Sequence, residues 1–470
     1  MDVAIYCGKV HSWTDEICKS ADRKVLDYHS VIDWIKAQGD NSFLIFGTDV
    51  IPYSIYDYPE RPFVDTQLFK FMERGGTVIW VGDVPFHYVD KDGVKEEIFG
   101  RGNPFPFTPV NMEHKPVSQR SENSIVGEML KYDPKETWRP VPPNPSLIPI
   151  SVIMNNAQYL YCTWIYKYGR GRFVRLYDSP YVDPSYVISL PGRLLDLSIG
   201  IRIKNFRRFE NFQMILPNFK IGVILGKNNV GKTTILEAIA MLDNNIDKIR
   251  NTRGRVSDRI SESELFLKGN YGWSKFSSQV LAWNSTFKVL LIYSHDITTS
   301  LNPQSVPDIQ SKLREITDLL NFLDQNIFYV YLSVGNDLRV LFKDRTDVPI
   351  NELGYGYKSL INFIVLYLIN KPRIILIDDL EGFAFHPELL KQFYDLLLKL
   401  DVDLILITTQ SSDVYAYLAE KRSDNVRFVL MNDGKYEVLT SEEALERMYY
   451  EDLRYTALKL SGEVHRGGEG

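Results

Sequence analysis

Apolar positions along the first half of the chain alternate between short continuous runs and stretches spaced three or four residues apart. Residues 2 to 8 (DVAIYCG) and 43 to 47 (FLIFG) read as strands, with a helical pattern around Val25 to Ala37 between them. Residues 64 to 73 read as a helix stopped by Gly75 and Gly76, and Thr77 to Val81 as the next strand. This repeating β-α-β order implies a parallel, Rossmann-like sheet. From Asp133 to Pro149 the chain is Pro-rich and reads as irregular. Ala157 to Tyr166 and Gly171 to Tyr177 then read as two strands joined at the turn Tyr168-Gly169-Arg170-Gly171. Pro180, Pro184, Pro191 and Gly192 break any element between Asp178 and Leu197, which places a domain boundary there.

Strand-like alternation resumes at 198 to 206 (SIGIRIKNF), and the apolar run Ile221 to Leu225 leads into a glycine-rich loop and a helix. Further on come an amphipathic stretch at Ile309 to Leu323, strands at 328 to 334 and 338 to 342, and an apolar run at Ile374 to Ile377. A helix at Pro387 to Leu400, a strand at Leu404 to Ile407, a hairpin around Asn432-Asp433-Gly434 and a helix from Ser441 towards Leu460 complete the pattern. The organisation expected is an α/β chain with a domain at 1–185, a linker at 186–196, a second domain at 197–460 and a frayed tail at 461–470.

Composition narrows the class. A chain of 470 residues with 44% hydrophobic and 24% charged residues is globular and long enough for more than one core. A net charge of −6 gives no global attraction to nucleic acid, so any such binding needs a local basic patch. Cys7, Cys18 and Cys162 form no C-x-x-C pair, and their odd number argues against a disulfide framework and for a reducing compartment. No leader-like series opens the chain and no apolar run reaches membrane-spanning length, so a cytoplasmic protein with no membrane partner is expected.

The chemistry centres on IGVILGKNNVGKTTILEAI at 221 to 239. Gly226, Gly231, Lys232 and Thr233 satisfy G-x-x-x-x-G-K-[ST], the phosphate-binding P-loop. Lys227, Asn228, Asn229, Val230, Gly231, Lys232, Thr233 and Thr234 are the cradle residues, whose backbone N–H groups surround the phosphates. Lys232 would reach the β- and γ-phosphates, and Thr233 would offer its hydroxyl to Mg²⁺. The run Ile374 to Ile377 delivers Asp378 to a strand end as the second metal ligand, the Walker B acid. Asp379 follows where an attacking water would be oriented, with Glu381 beside it. Gly354 and Gly356 precede an apolar helix, whose N-terminus would attract phosphate; Lys358 lies in its first turn.

These motifs carry two resemblances. SIGIRIKNFRRFENFQMIL followed by the P-loop is similar to the opening of ABC-class ATPase heads, the group that holds SMC, RecF and the OLD-type ATPases. That likeness implies ATP and Mg²⁺ as cofactors, a head that dimerises on nucleotide, and Arg207 or Arg208 approaching the phosphates. ELGYGYKSLINF resembles the signature motif in its OLD-like Leu-Gly-x-Gly form, and Asp378 to Pro387, with Glu381 and His386, resembles the Asp-Glu-x-Glu-x-x-Leu-His-Pro form. Where relatives have Glu this chain has Asp379, one methylene shorter, and where they have a strand-end His it has Gln410, a hydrogen-bond donor that cannot change charge near neutrality. Slow hydrolysis is implied, with Lys232, Asp379, Glu381 and Gln410 as catalytic candidates. No Gln-loop residue stands out beyond Gln279, and 242 to 351 lacks heptads for SMC-type arms. DNA maintenance or antiviral defence, with a nucleic-acid or protein partner, is the role implied; a nucleotide-switched scaffold is the alternative.

GGTVIWVGDVPF at 75 to 86 and YGRGRFVRLYDS at 168 to 179 resemble flavodoxin-like domains related to class I glutamine amidotransferases. No cysteine sits in a Gly-x-Cys-x-Gly elbow, so amidase chemistry is not expected; Asp83 and His87 are a candidate remnant ligand pair.

Overall fold

A computed structural model describes residues 1–10, 15–19, 23–82, 84–98, 104–107, 117–134, 136–137, 139–155, 158–176, 183–298, 309–335 and 337–455. The chain divides into two compact units, Met1–Leu197 with the turn Gly269–Tyr271, and the remainder from Ser198. Among the described residues, no helix is long and apolar enough to cross a membrane.

The first unit is built on an eight-stranded sheet. Lys24–Leu26, Asp2–Tyr6, Ser42–Phe46, Thr77–Trp80 and Gly171–Arg175 lie side by side in that order, and all are parallel. Gln158–Tyr168, Leu147–Asn155 and Glu122–Asn123 continue the sheet antiparallel. The expected parallel sheet is therefore mixed. Tyr6, Phe46 and Trp80 occupy the same register level on adjacent strands, with ring centroids 5.5 and 5.1 Å apart, so large apolar area is buried where the parallel strands end.

Three expectations fail here, each for a local reason. Leu147–Asn155 is a nine-residue strand although Pro149 falls within it; its pairing shifts register between Pro149 and Ser151, as a residue without an N–H requires. Pro184–Leu195 is a helix and not a linker. Asp183 caps it by accepting from the Ser185 N–H at 2.9 Å, and Pro184 stands at a first-turn position that has no N–H to lose. Cys7 and Cys18 are joined as a disulfide: the end of the first strand and the short helix Asp15–Lys19 bring them together without C-x-x-C spacing, and Cys162 is free and buried. Asp83 lies outside the described residues. His87 is 3.3 Å from Glu97 through Nε2.

The second unit contains a six-stranded sheet in the order Val289–Tyr293, Ile374–Asp378, Leu404–Thr408, Ile221–Leu225, Val426–Asn432 and Lys435–Leu439. The first five are parallel, and the last turns back through Asp433 and Gly434, both at positive φ as a two-residue hairpin demands. Alternate residues feed two cores. Ile221, Val223, Ile375, Ile377, Ile405 and Ile407 enter one, while Ile224, Ile374, Leu376, Leu404 and Leu406 enter the other. That explains why these strands read as continuous apolar runs: both faces are covered. Tyr355–Asn370 and Pro387–Lys399 cover the first face, Lys232–Ala240 the second. A separate antiparallel sheet is led by the hairpin Ile199–Phe206 and Phe209–Leu216. The helix expected to run from Ser441 towards Leu460 ends at Met448.

Two glycines in the first unit test these packing arguments in opposite directions. A Cβ at Gly171 would collide with the carbonyl oxygens of Gly76 and Met72, whereas one at Gly192, inside a helix, would meet nothing within 4 Å. Gly171→Ala should lower stability by about 1–3 kcal/mol and Gly192→Ala should raise it by about 0.5–1 kcal/mol. Urea midpoints of the two variants moving in the same direction would contradict this.

Candidate functional site

The site begins with a strand that cannot continue. Ile221–Leu225 is fully buried, and at Gly226 the backbone turns to φ +149°, a region that L side chains avoid. Asn229 and Gly231 also have positive φ, so the loop reverses and feeds directly into the helix Lys232–Ala240. A side chain at Gly231 would collide with the Phe209 ring. The loop is thereby seated against the turn between the hairpin strands, which carries Arg207 and Arg208.

Lys232 folds back over its own loop, its Nζ donating to the carbonyl oxygens of Gly226 at 2.8 Å and Lys227 at 3.0 Å. Burial pushes its pKa down, opposed by the nearby charges of Asp379, Asp378 and Glu381. Thr233 donates through Oγ1 to Asp378 Oδ1 at 3.0 Å. Thr408, at the end of the strand between the loop strand and the Walker B strand, donates to the same oxygen at 2.7 Å. Its hydroxyl also accepts from the Asp379 N–H at 2.9 Å. Burial pushes the Asp378 carboxyl up, and these two hydroxyl donors pull the other way.

Asp379 adopts a left-handed backbone, φ 55° and ψ 67°, and opens the short turn Leu380–Phe383. Although the residue reaches solvent, desolvation and the like charges of Asp378 and Glu381 raise its pKa to about 6. Glu381 braces the neighbouring strand end, accepting from Thr409 Oγ1 at 2.8 Å and from the Gln410 N–H at 3.0 Å. Gln410 spans back to the loop, its Nε2 donating to Asn228 Oδ1 at 2.6 Å.

The structure thus brings together Gly226 to Thr234, Asp378, Asp379, Glu381 and Gln410. Arg207 pairs with Glu237 at 2.6 Å, one turn beyond Thr233 on the loop's helix, and Arg208 lies 3.4 Å from Asp433. Gly354 caps the helix Tyr355–Asn370 and is exposed; Gly356 packs its first turn near Leu389 and the Ala384 carbonyl, and Lys358 is buried one turn in. His386 stands exposed before the helix Pro387–Lys399 without capping it through its side chain. Gln279 is an exposed turn residue whose carbonyl accepts from the Ser277 N–H. Sequence reasoning missed Thr408, Thr409, Asn228 as the partner of Gln410, and Glu237 with its ligands Arg207, Arg253 and Tyr293. The pair of threonines directly after an apolar run was the available signal.

Residues 199–281 match the model of the AAA ATPase domain, and residues 19–190 that of the MJECL34 family. The match to the AAA ATPase domain includes the P-loop at Gly226 to Thr233 and, apart from the turn Gly269–Tyr271, lies within the carboxyl-terminal unit. An uncharacterized protein MJECL34 of Methanocaldococcus jannaschii is 28% identical over 148 residues, covering 29% of this chain and 48% of that protein. The chain spans about half the length of this curated relative. Among solved structures, the SMC head domain from Thermotoga maritima is similar at TM-score 0.36 and 15% identity, covering 52% of this chain and 98% of that one. An Smc head with an extended coiled coil, bound to the C-terminal domain of ScpA from Pyrococcus furiosus, is similar at TM-score 0.39 and 12% identity, over 54% and 98%. The cbiO1 protein of Clostridium perfringens, part of an ABC transporter complex, is similar at TM-score 0.32 and 15% identity, over 53% and 91%.

Thr408 is fully buried and serves Asp378 and the Asp379 N–H at once. Thr408→Val keeps the shape and removes both bonds, so stability should fall by about 1–3 kcal/mol. A urea midpoint equal to that of the parent would show that the hydroxyl does not hold the Walker B turn.

Proposed function

We propose that the carboxyl-terminal unit binds ATP with Mg²⁺, hydrolyses it slowly, and pairs with a second copy over the bound nucleotides. The observation that carries this reading is the meeting of Thr233, Thr408 and Asp378 within 3.0 Å, beside a lysine folded over the P-loop. Hard oxygen donors from a hydroxyl and a carboxylate suit Mg²⁺.

In this reading the loop N–H groups would hold the phosphates, and Lys232, now on the Gly226 and Lys227 carbonyls, would turn its ammonium to them. Thr233 and Asp378 are the residues that would hold Mg²⁺, which when bound would supply charge neutralisation to the phosphates. Asp379 orients the attacking water, and Gln410 reports on the γ-phosphate without exchanging a proton. Gly354 to Lys358 of one copy faces the phosphate held by the other, which the exposed Gly354 and Tyr355 at the start of the helix support, with Gly356 packed and Lys358 buried behind them. Likeness of the motifs to SMC, RecF and OLD-type heads supports work in DNA maintenance or antiviral defence, in the cytoplasm where ATP is supplied.

A second reading is a nucleotide-switched scaffold with little turnover. It is supported by the short Asp379 side chain, held on a left-handed residue and raised to a pKa of about 6, and by Gln410 in place of histidine. For the amino-terminal unit we propose a non-catalytic, flavodoxin-like role in sensing a small ligand or assembling copies, supported by its five adjacent parallel strands.

The test is MgATP turnover by the full chain, with native mass measured in parallel. Lys232→Ala should abolish ATP binding, and Asp379→Ala should keep binding while lowering turnover on the order of 10²-fold. ATP should double the mass of Asp379→Ala, and DNA or RNA should raise wild-type turnover in a salt-sensitive way. Turnover indifferent to nucleic acid removes the DNA reading; turnover indifferent to Asp379→Ala removes that residue's role and leaves the scaffold.

A further inference from the structure

The short segment after the last helix reaches the heart of the site. Helix Ser441–Met448 is followed by Tyr449 and Tyr450, 84% and 86% exposed, and then by Leu453, 1% exposed and part of the main core. Next to that anchor, Arg454 donates through a terminal guanidinium nitrogen to the backbone oxygen of Gln410 at 2.5 Å. Its Nε donates to the two Asp452 carboxylate oxygens at 2.9 and 3.1 Å, and the Tyr415 hydroxyl donates to Asp452 at 3.2 Å. The guanidinium holds the Asp452 carboxyl down to about 2, as a charge-assisted pair should.

Gln410 is therefore held at three points. Its N–H is on Glu381, its side chain is on Asn228 of the P-loop, and its carbonyl is on Arg454. The reach of the Gln410 side chain, whether to Asn228 or to a phosphate, is set by a backbone that Glu381 holds at the N–H and Arg454 at the carbonyl. We propose that Arg454 is a positioning residue for Gln410, and that the clamp of Arg454, Asp452 and Tyr415 couples residues 449–455 to the state of the nucleotide loop. This rests on the reading of the loop as an ATP site. By linkage the coupling is reciprocal: whatever displaces the segment alters the loop, and a nucleotide that moves Gln410 alters the segment.

The experiment uses the full chain with MgATP and with Mg²⁺ plus a non-hydrolysable ATP analogue. Arg454→Ala should lower kcat about tenfold with KM for ATP within about twofold. Added to Gln410→Ala it should have no further effect, because both remove one coupled element. Arg454→Lys, which keeps one donor and the charge, should restore part of the rate. The analogue should change hydrogen exchange at 449–455 in the wild type and not in Arg454→Ala. Asp452→Asn, which keeps the shape and loosens the clamp, should reproduce the Arg454→Ala effects and replaces it if that variant does not fold. Additive losses in the double variant, or exchange at 449–455 indifferent to a bound analogue, overturn the coupling and leave the ATP reading standing. Failure of the wild-type chain to bind the analogue overturns the ATP reading itself, and the coupling falls with it.

Discussion

The carboxylate of Asp378 is the constraint on which the second unit depends. A strand whose other residues are all apolar and buried delivers an acid to a place where it is only 4% exposed, so its charge must be answered locally. Two hydroxyls answer it, Thr233 from the P-loop helix and Thr408 from the strand between. Three elements distant in sequence are fixed by one oxygen atom. Hydrogen bonds from neutral hydroxyls do not cancel a buried charge, and the carboxyl accordingly sits above its ordinary range. The oxygen is satisfied in geometry while burial still raises the cost of its charge.

The same logic explains the other side of the loop helix. Glu237 is fully buried one turn beyond Thr233, and Arg207, Arg253 and the Tyr293 hydroxyl converge on it at 2.6, 3.7 and 3.1 Å. Arg207 arrives from a left-handed position in the hairpin turn that also seats Phe209 against Gly231. The hairpin therefore holds the loop by an ion pair below and by ring packing above. A loop held from both sides keeps its N–H groups in place before any phosphate arrives, and ordering entropy is not lost again on binding.

Legibility in the sequence followed how local each signal is. The P-loop was readable because glycine positions, lysine and threonine all fall within eight residues and each has a backbone or ligand reason. Asp378 was readable because an apolar run covered on both faces ends in an acid. Thr408 was not, since a threonine after a strand is ordinary until the strand order places it between Ile221–Leu225 and Ile374–Asp378. The helix Pro184–Leu195 was hidden by its prolines, because Pro184 starts a helix as readily as it ends one. Residues 261–293 hid four strands, three of the antiparallel sheet and Val289–Tyr293 of the six-stranded one; Val280–Asn284, mostly exposed, shows how weak the alternation is in the first three. The disulfide and the Gln410 contacts depend on tertiary approach and have no spacing to read.

The charge balance at the end of the strand Ile374–Asp378 is uneven. Asp378, Asp379 and Glu381 crowd one strand end, and Asp378 and Glu381 add to burial in raising the cost of ionising Asp379. Glu381 has its two oxygens committed to Thr409 and the Gln410 N–H, so it serves as a brace and Asp379 is left as the acid facing open space. Lys232 and Arg253 pull Asp379 towards ionisation, and burial with two acidic neighbours outweighs them. A cation at Asp378 would reverse that balance, because its charge exceeds that of either neighbouring acid. The ionisation of Asp379 is thus set by its neighbours as much as by its own exposure, so any charge placed at Asp378 would be felt at Asp379.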